Sequence, residues 1–311
     1  MPQPIIAFPK LNPCRMYEIV VGKPYIQQMP SFYYDIKPVQ KWDTINDVFA
    51  FQIWVEHTTN RTITNTVKFY NEDGDDLDIF TPTAITTLFP WNGTYYNIYE
   101  YRTNFTFGGL KIPKGVYRVQ ANVKITVTIG GATVSDSNYY SEPMLCASSS
   151  LYPHLFTNTI NLTYRHDSNN KGMVFIDPST PTNIYTYYLR IDGGFKPEEQ
   201  DHANTSVDYI DQENDTEILE STPYEIHKLY IGDGEGIPVY LMEIMNQIFS
   251  VDYMLIQRLT NDYWDYGKQY VRKTGAKIEI ISEEYYPLQG GSIDLVEKTT
   301  NYLNEIDYLT W

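Results

Sequence analysis

Cysteine is scarce in this chain of 311 residues, which contains only Cys14 and Cys146. Two cysteines are too few for the disulfide scaffolds of small secreted domains, so that class of protein is excluded. The pair lies near the two ends of the first half of the chain, and the first and last strands of a β-sandwich can be neighbours. We therefore expect two buried free thiols, with a single bridge as the alternative.

Long apolar runs and clusters of positive charge are also missing. No stretch of about 18 apolar residues is present, so no membrane span is expected. The N-terminal sequence MPQPIIAFPKLNP lacks the basic and apolar regions of a signal peptide, which predicts synthesis in a cytoplasm unless a leader was removed. With 39 acidic and 23 basic residues, the net charge is −16. Because such a surface repels phosphate backbones and anionic lipids, we expect neither nucleic acid nor membrane as a partner.

Motifs for catalysis or metal binding are not found. No two histidines have the spacing of metal ligands, and there is no H-E-x-x-H motif or Cys–His cluster. Serine-nucleophile motifs are absent as well. We therefore expect no metal, no cofactor and no enzyme activity, and we expect each histidine at the surface or at a strand edge. The histidines are His57, His154, His166, His202 and His227.

Two loops have the composition of ligand sites without their pattern. Asn71–Asp78, NEDGDDLD, concentrates carboxylates, but Pro82 stands where a calcium loop needs its twelfth residue, Glu. Gly232–Gly236, GDGEG, lacks the Lys and Ser or Thr of a P-loop, and its two acidic residues would repel a phosphate. We interpret the first as a solvated hairpin tip and the second as a strand-to-helix turn.

The sequence does contain many short segments with the pattern of β-strands. Val48–His57, VFAFQIWVEH, alternates, with Phe49, Phe51, Ile53 and Val55 on one face. Turn signals at Asp73-Gly74 and at Gly130-Gly131 predict hairpins. This pattern is typical of an antiparallel β-sandwich, and the length suggests two domains. We predict an all-β protein with two tandem antiparallel Ig-like sandwiches: residues 1–147, a linker at 148–153, residues 154–298, and an apolar tail at 299–311.

One segment has helical rather than strand periodicity. Pro238 opens it, and the apolar residues that follow lie three and four positions apart, which predicts an amphipathic helix near residues 238–249. The apolar stripe must be buried. We expect it to cap an open end of the second sandwich, and packing against a neighbouring subunit is the alternative. The stripe contains Leu241, Met242, Met245, Ile248 and Phe249, and the other side carries Glu243, Asn246 and Gln247.

Several segments occur in an order that resembles a known group of proteins. They are YYSEPMLC (Tyr139–Cys146), INLTYRHDSNNKGMVF, YYLRIDGGF, IGDGEGIPVYLMEIMNQIFSVDYMLI, QYVRKTGAKIEI and YYPLQGGSIDLVEK. The chain resembles virion structural proteins of tailed phages and prophages of Bacteroides-type bacteria, including crAss-like phages. The likeness covers Tyr139 to Lys298 and, more weakly, KPVQKWDTINDVFAFQIWVE. The segment Thr260–Gly267 departs from the family, which has a tight hairpin there.

The resemblance implies a structural role in the tail, collar or baseplate. On this interpretation the chain is a ring or adaptor subunit, synthesised in the host bacterial cytoplasm and located in the virion. Its partners are copies of itself and other virion proteins, joined through heterologous contacts. The apolar residues of the tail are expected to be buried, either in a groove on their own domain or on a neighbouring subunit. We favour the neighbouring subunit, because the helix is expected to close the core without the tail and large aromatic side chains anchor interfaces. Its proposed anchors are Tyr302, Leu303, Ile306, Tyr308, Leu309 and Trp311.

A protein of a different class remains as the alternative. Exposed aromatic rings can stack on sugars, and the segment PWNGTYY places Trp91, Tyr95 and Tyr96 close together in the chain. A carbohydrate-binding, lectin-like β-sandwich would need these three rings aligned on one flat, exposed face.

Overall fold

The computed structural model describes residues 5–18, 40–70, 76–80, 82–104, 117–195, 201–210, 216–232, 236–260, 263–264, 268–272, 275–282 and 288–297. Strands dominate these residues, together with one α-helix and a short 3₁₀ helix, Pro153–Leu155. The prediction of an all-β protein is therefore confirmed.

The first half of the chain forms two sheets. Its strands are β1 Ile6–Ala7, β2 Met16–Glu18, β3 Lys41–Asp43, β4 Val48–Glu56, β5 Arg61–Tyr70, β6 Asp76–Phe80, β7 Thr83–Trp91, β8 Thr94–Asn104, β9 Tyr117–Ile129, β10 Ala132–Ser141 and β11 Met144–Ala147. One sheet has the order β1-β4-β8-β7. The other has the order β2-β10-β9-β11-β3, with β5 paired to β9 and β6 paired to β5. Phe49 and Phe51 of β4 share a buried core with Phe69 of β5 and Val123 of β9, so the two sheets pack face to face.

Strand β4 is buried on both of its faces. Phe49, Phe51 and Ile53 contribute to the core between the two sheets, as their alternation predicts. The intervening residues Ala50 and Gln52 are also fully buried, because that face of the strand lies against the second half of the chain. The four-stranded sheet therefore separates two hydrophobic cores.

The two hairpins predicted from turn residues are formed by paired strands. Gly130 and Gly131 join β9 to β10 with φ values of 57° and 86°, and two successive positive φ angles are what a tight two-residue hairpin turn requires. Strands β5 and β6 are also antiparallel partners. The turn between them, with Asp73-Gly74 and most of the acidic loop, lies outside the described residues.

The second half of the chain forms a closed barrel, and the prediction of a second sandwich is wrong. Its elements are β12 Thr159–Arg165, β13 Tyr187–Phe195, β14 Asp201–Ile210, β15 Thr216–Ile231, β16 Ile237–Pro238, α1 Val239–Ile248, β17 Tyr253–Thr260, β18 Tyr263–Trp264, β19 Lys268–Arg272, β20 Glu279–Ser282 and β21 Leu288–Glu297. The order β15-β13-β12-β17-β19-β21 is closed by an antiparallel pairing of β21 with β15, from Ile226↔Val296 to Ile231↔Gly291. Six strands therefore form a continuous ring.

Two glycines inside the strands of this sheet leave room for neighbouring groups. A Cβ atom on Gly193 would lie 2.5 Å from the carbonyl oxygen of Tyr230, and one on Gly291 would lie 3.0 Å from Ile278 and from Met242. Glycine within a strand often marks a close approach of another backbone. Gly193 therefore admits the neighbouring strand β15, and Gly291 leaves room for a side chain of α1.

Helix α1 lies within the predicted segment, with Pro238 immediately before its first residue. Leu241, Met245 and Ile248 are fully buried and join the core inside the barrel, whereas Glu243 is exposed. The apolar stripe is therefore covered within the chain, as expected, but by a barrel rather than by a sandwich.

The predicted linker lies between the two sets of sheets. Strand β11 pairs with β9 and β3 of the first half, and β12 pairs with β13 and β17 of the second. Ser148–Pro153 falls between them, and the exact domain limits stay a prediction. Contact between the halves is extensive, since Leu11 and Ala50 belong to the core of the barrel.

Candidate functional site

The residues predicted to anchor a neighbouring subunit cannot be located. Tyr302, Leu303, Ile306, Tyr308, Leu309 and Trp311 all lie outside the described residues, and their docking stays a prediction.

The three aromatic residues proposed for sugar stacking do not share one face. Tyr95 is exposed, whereas Tyr96 is almost buried on the opposite side of β8. The ring of Trp54 lies between those of Tyr96 and Trp91, at 5.6 and 5.9 Å. This cluster also contains Val174 from the second half. The rings of Trp91 and Tyr96 belong to packing between the two halves and that of Tyr95 does not, so the three rings do not align on one flat, exposed face.

Both cysteines are buried free thiols, as expected. Burial raises the pKa of Cys14 and of Cys146 well above the ordinary value for a thiol. Since the thiolate is the nucleophile, neither side chain is suited to covalent catalysis.

A buried ion pair joins the two halves. Arg190, on the barrel strand β13, forms a two-point contact with the carboxylate of Asp47, on the turn before β4, and its Nε lies 2.5 Å from Oδ2. Asn161 of β12 donates to the same carboxylate at 3.0 Å. Arg190 is 0% and Asp47 2% exposed. Because both charges are removed from water, this geometry must be held by the surrounding structure.

Asp43 holds the chain segment between the halves against the same turn. Its carboxylate accepts hydrogen bonds from the amide of Ser149 at 3.0 Å and from its hydroxyl at 2.6 Å. Burial raises the pKa of Asp43, but the hydrogen bonds from Ser149, Asn46 and Ile45 outweigh it and leave the pKa below its ordinary value. The carboxyl is therefore ionised at neutral pH and acts as a fixed acceptor.

Gln52 is a second junction between the halves. Its side-chain amide donates to the carbonyl oxygen of Val174 at 2.6 Å, and its side-chain oxygen accepts from the amide of Val174 at 3.1 Å. Its backbone makes a reciprocal pair of bonds, both 2.9 Å, with the side chain of Asn12. Tyr187 of β13 also contacts the side chain. This one buried polar residue thus ties β4 to the N-terminal segment and to the barrel.

Glu142 makes a third connection, at the first turn of α1. It accepts hydrogen bonds from the hydroxyl of Tyr17 at 2.8 Å, from the amide of Arg15 at 3.3 Å, and from the hydroxyl of Tyr240. Desolvation raises its pKa from 4.5 to about 7, although these hydrogen bonds lower it in part. The guanidinium carbon of Arg15 lies 4.3 Å from the centre of the Tyr240 ring, so the N-terminal segment is held against the helix.

The segments that carry the family resemblance meet in these contacts, which we call the seam. The motif KWDTIND contributes Asp47, and LRIDGG contributes Arg190. The motif YSEP contributes Glu142, and GIPVYL contributes Tyr240. Sequence reasoning identified these motifs as structural but did not predict which of them touch. The number of residues between two motifs in the sequence does not indicate which motifs come into contact in the folded protein.

Two of the five histidines, His166 and His227, are buried, and both contact carboxylates. His166 is 8% exposed and is paired with Asp252. His227 is 3% exposed, with Glu225 and Glu297 beside its Nε2 atom. The expectation that every histidine lies at the surface or an edge is therefore wrong for these two. Glu225, His227 and Glu297 also have ligand atoms within 4.8 Å of one another, which makes them a candidate metal-binding group.

Comparison with protein-family models, with curated proteins and with solved structures finds no match for this chain. The described residues contain no helix with the length and apolar character that crossing a bilayer requires.

Proposed function

We propose that this protein is a non-enzymatic structural protein of a phage virion, a ring or adaptor subunit of the tail or collar that assembles through heterologous contacts. The observation that carries the proposal is the seam. The segments that resemble phage structural proteins supply the buried contacts of the seam. The residues that meet there therefore join two β-structured bodies and do not line a cleft.

A rigid seam is a physical requirement for such a subunit. In a ring, one surface of each subunit binds a different surface of the next. The ring closes only if each subunit is rotated relative to its neighbour by the same angle. Hinge motion between the two halves of a subunit would make that rotation angle vary from one subunit to the next. The buried pair of Asp47 with Arg190, the hydrogen bonds of Gln52 and the contacts of Glu142 oppose such a hinge at three separate places.

The chemistry of the seam also supports a structural role. The carboxylates of Asp43 and Asp47 accept hydrogen bonds from fixed donors in buried positions, and the cysteine thiols have raised pKa values. These groups are engaged in structure rather than facing a substrate. The net charge of −16 supports contacts with other proteins in preference to contacts with the packaged nucleic acid.

Three measurements test the proposal. Mass spectrometry of density-purified virions is expected to detect the chain as a component, and antibodies against it are expected to label the tail or collar in negative-stain images. Electron microscopy of the purified protein is expected to show closed rings or ring segments.

A matched pair of variants makes the test specific to the seam. Asp47→Asn weakens the buried contact with Arg190 and is expected to give open or irregular assemblies. Glu243→Gln changes an exposed side chain and is expected to leave assembly unchanged. If the chain is present in the lysate but absent from purified virions, the proposed function is wrong.

A further inference from the structure

Three side chains with metal-binding atoms meet at one end of the barrel. Glu225 and His227 are separated by one residue on β15, so they share a face of that strand, and Glu297 lies at the end of the neighbouring strand β21. The next residues on the same faces, Leu229 and Leu295, point into the barrel core. The three groups therefore form a cluster at the mouth of the barrel, above its apolar interior.

The separations of the imidazole from the two carboxylates are close to those between ligands of one ion, and all three ligand atoms lie within 4.8 Å of one another. Nε2 of His227 lies 3.4 Å from Oε2 of Glu225 and 3.6 Å from Oε2 of Glu297. Both distances exceed the roughly 2.7–3.2 Å of a hydrogen bond between nitrogen and oxygen. Two ligands at about 2.0–2.1 Å from a tetrahedral zinc ion lie roughly 3.3–3.5 Å apart. We propose that Glu225, His227 and Glu297 bind a divalent transition-metal ion of the zinc type.

The imidazole is held in place before any ion arrives. Its ring is 3% exposed and lies edge-on to the rings of Tyr270, at 5.5 Å, and Phe195, at 5.9 Å. Those two rings stack on each other at 5.0 Å. Since the ring cannot easily turn in this packing, Nε2 stays directed towards the two carboxylates. A site with fixed ligands loses little conformational freedom on binding.

The charges around the cluster favour a cation. Glu225 and Glu297 place two carboxylates around one imidazole, and like charges on neighbouring strands repel. Lys228 lies on the opposite face of β15, where its Nζ is 5.9 Å from the centre of the Tyr230 ring. A bound divalent ion would offset the repulsion between the carboxylates. The side chain of Glu225 is 48% exposed, so a fourth ligand position is open to solvent or to a partner.

An ion bound at this position would stabilise the closure of the barrel. Strands β15 and β21 are the pair that closes the barrel, and the three ligands lie at the end of that pair. An ion bound here would hold the closing strands together and would stabilise the folded state over the unfolded chain. This inference does not depend on the proposed virion role. It reverses the expectation of no metal, which considered only the spacing of histidines and cysteines along the chain.

Calorimetry and thermal unfolding with ZnCl₂ test the site. Protein treated with a chelator and then dialysed is expected to bind one Zn²⁺ per chain. When free Zn²⁺ exceeds its dissociation constant about 100-fold, the melting temperature is expected to rise by roughly 4 °C. MgCl₂ at the same concentration should have no comparable effect, because Mg²⁺ prefers six oxygen ligands. The visible spectrum of the Co²⁺ form should indicate four-coordinate nitrogen and oxygen ligands without thiolate, which would exclude Cys14 and Cys146.

Matched variants identify the ligands. Glu225→Gln, His227→Gln and Glu297→Gln should each abolish the response to Zn²⁺. Glu279→Gln on β20 and His154→Gln should retain it, because these side chains lie outside the cluster. The melting temperature and circular dichroism of each variant without metal, compared with those of the parent, show whether a lost response reflects misfolding. If the parent shows no stoichiometric Zn²⁺ binding, or if binding survives His227→Gln, the inference is wrong and the cluster is a contact between a histidine and two carboxylates without an ion.

Discussion

Replacing Asp47 by Asn should destabilise the protein more than most single substitutions. The change preserves the size of the side chain but leaves the guanidinium of Arg190 as a buried charge without its two-point partner. Arg190 is fully buried, so water cannot replace the lost contact. Removal of one partner from a buried ion pair costs about 3–5 kcal/mol.

The structure places the expected value towards the lower end of that range. An Asn side chain at position 47 keeps one oxygen that can accept a hydrogen bond from Arg190, so part of the contact survives the substitution. Thr159 also accepts from Arg190, at 3.3 Å, in a contact that the substitution does not remove. We therefore expect a loss of about 3 kcal/mol, which is a large fraction of the roughly 5–15 kcal/mol of a typical domain.

Urea unfolding followed by tryptophan fluorescence and by circular dichroism measures this loss. Trp42 and Trp54 are buried in the first half and report on that part of the chain. The exposed pair of Arg15 and Glu243, 3.6 Å apart, supplies the control, and Glu243→Gln should change stability by less than about 1 kcal/mol.

A double substitution distinguishes loss of the pair from general disruption of the seam. Asp47→Asn with Arg190→Met removes both charges, so part of the stability lost in Asp47→Asn should return. The reasoning is refuted if Asp47→Asn lies within about 1 kcal/mol of the parent. It is also refuted if the double variant is no more stable than the single one.

Three further predictions concern other parts of the chain. Because burial raises the pKa of Glu142 from 4.5 to about 7, its contribution to stability is full below pH 4.5 and is lost as the pH rises through 7. Glu142→Gln should remove about 3 kcal/mol of that decline, measured as the difference between parent and variant in urea unfolding at pH 5 and pH 8. Native protein should not react with a thiol reagent on the time scale at which urea-unfolded protein reacts at Cys14 and Cys146, and rapid labelling of the native state would contradict their burial. Deletion of Tyr302–Trp311 should leave the melting temperature unchanged and prevent incorporation into particles, whereas lower stability with normal incorporation would mean that the tail docks on its own subunit.

Local patterns in the sequence were sufficient for much of the secondary structure. The alternation in Val48–Glu56, the glycines at 130 and 131, and the spacing after Pro238 each predict an element that the structure contains. Each of these signals lies within about a dozen residues, because side-chain direction repeats every two residues in a strand and every 3.6 in a helix. The same patterns do not indicate what covers the second face of a strand, so the burial of Gln52 was not predicted.

The choice between a sandwich and a barrel depends on one pairing. Strands β15 and β21 are far apart in the sequence, so their pairing cannot be predicted from either strand alone. The alternation of apolar and polar residues along a strand is the same in an open sheet and in a closed barrel. Gly193 in β13 admits the backbone of β15, but a glycine inside a strand can mark a bulge, a bend or a close approach, so it could not decide the closure.

The sequence by itself determined the all-β class, the amphipathic helix after Pro238, the acidic surface and the buried character of the two cysteines, because these follow from composition and from short-range periodicity. Only the tertiary structure decided that Asp47 meets Arg190, that Glu142 meets Tyr240, and that Glu297 joins Glu225 and His227. Each of these contacts joins residues from different strands, turns or helices. Their proximity is set by how the sheets close and pack, and by the burial that makes a polar partner necessary.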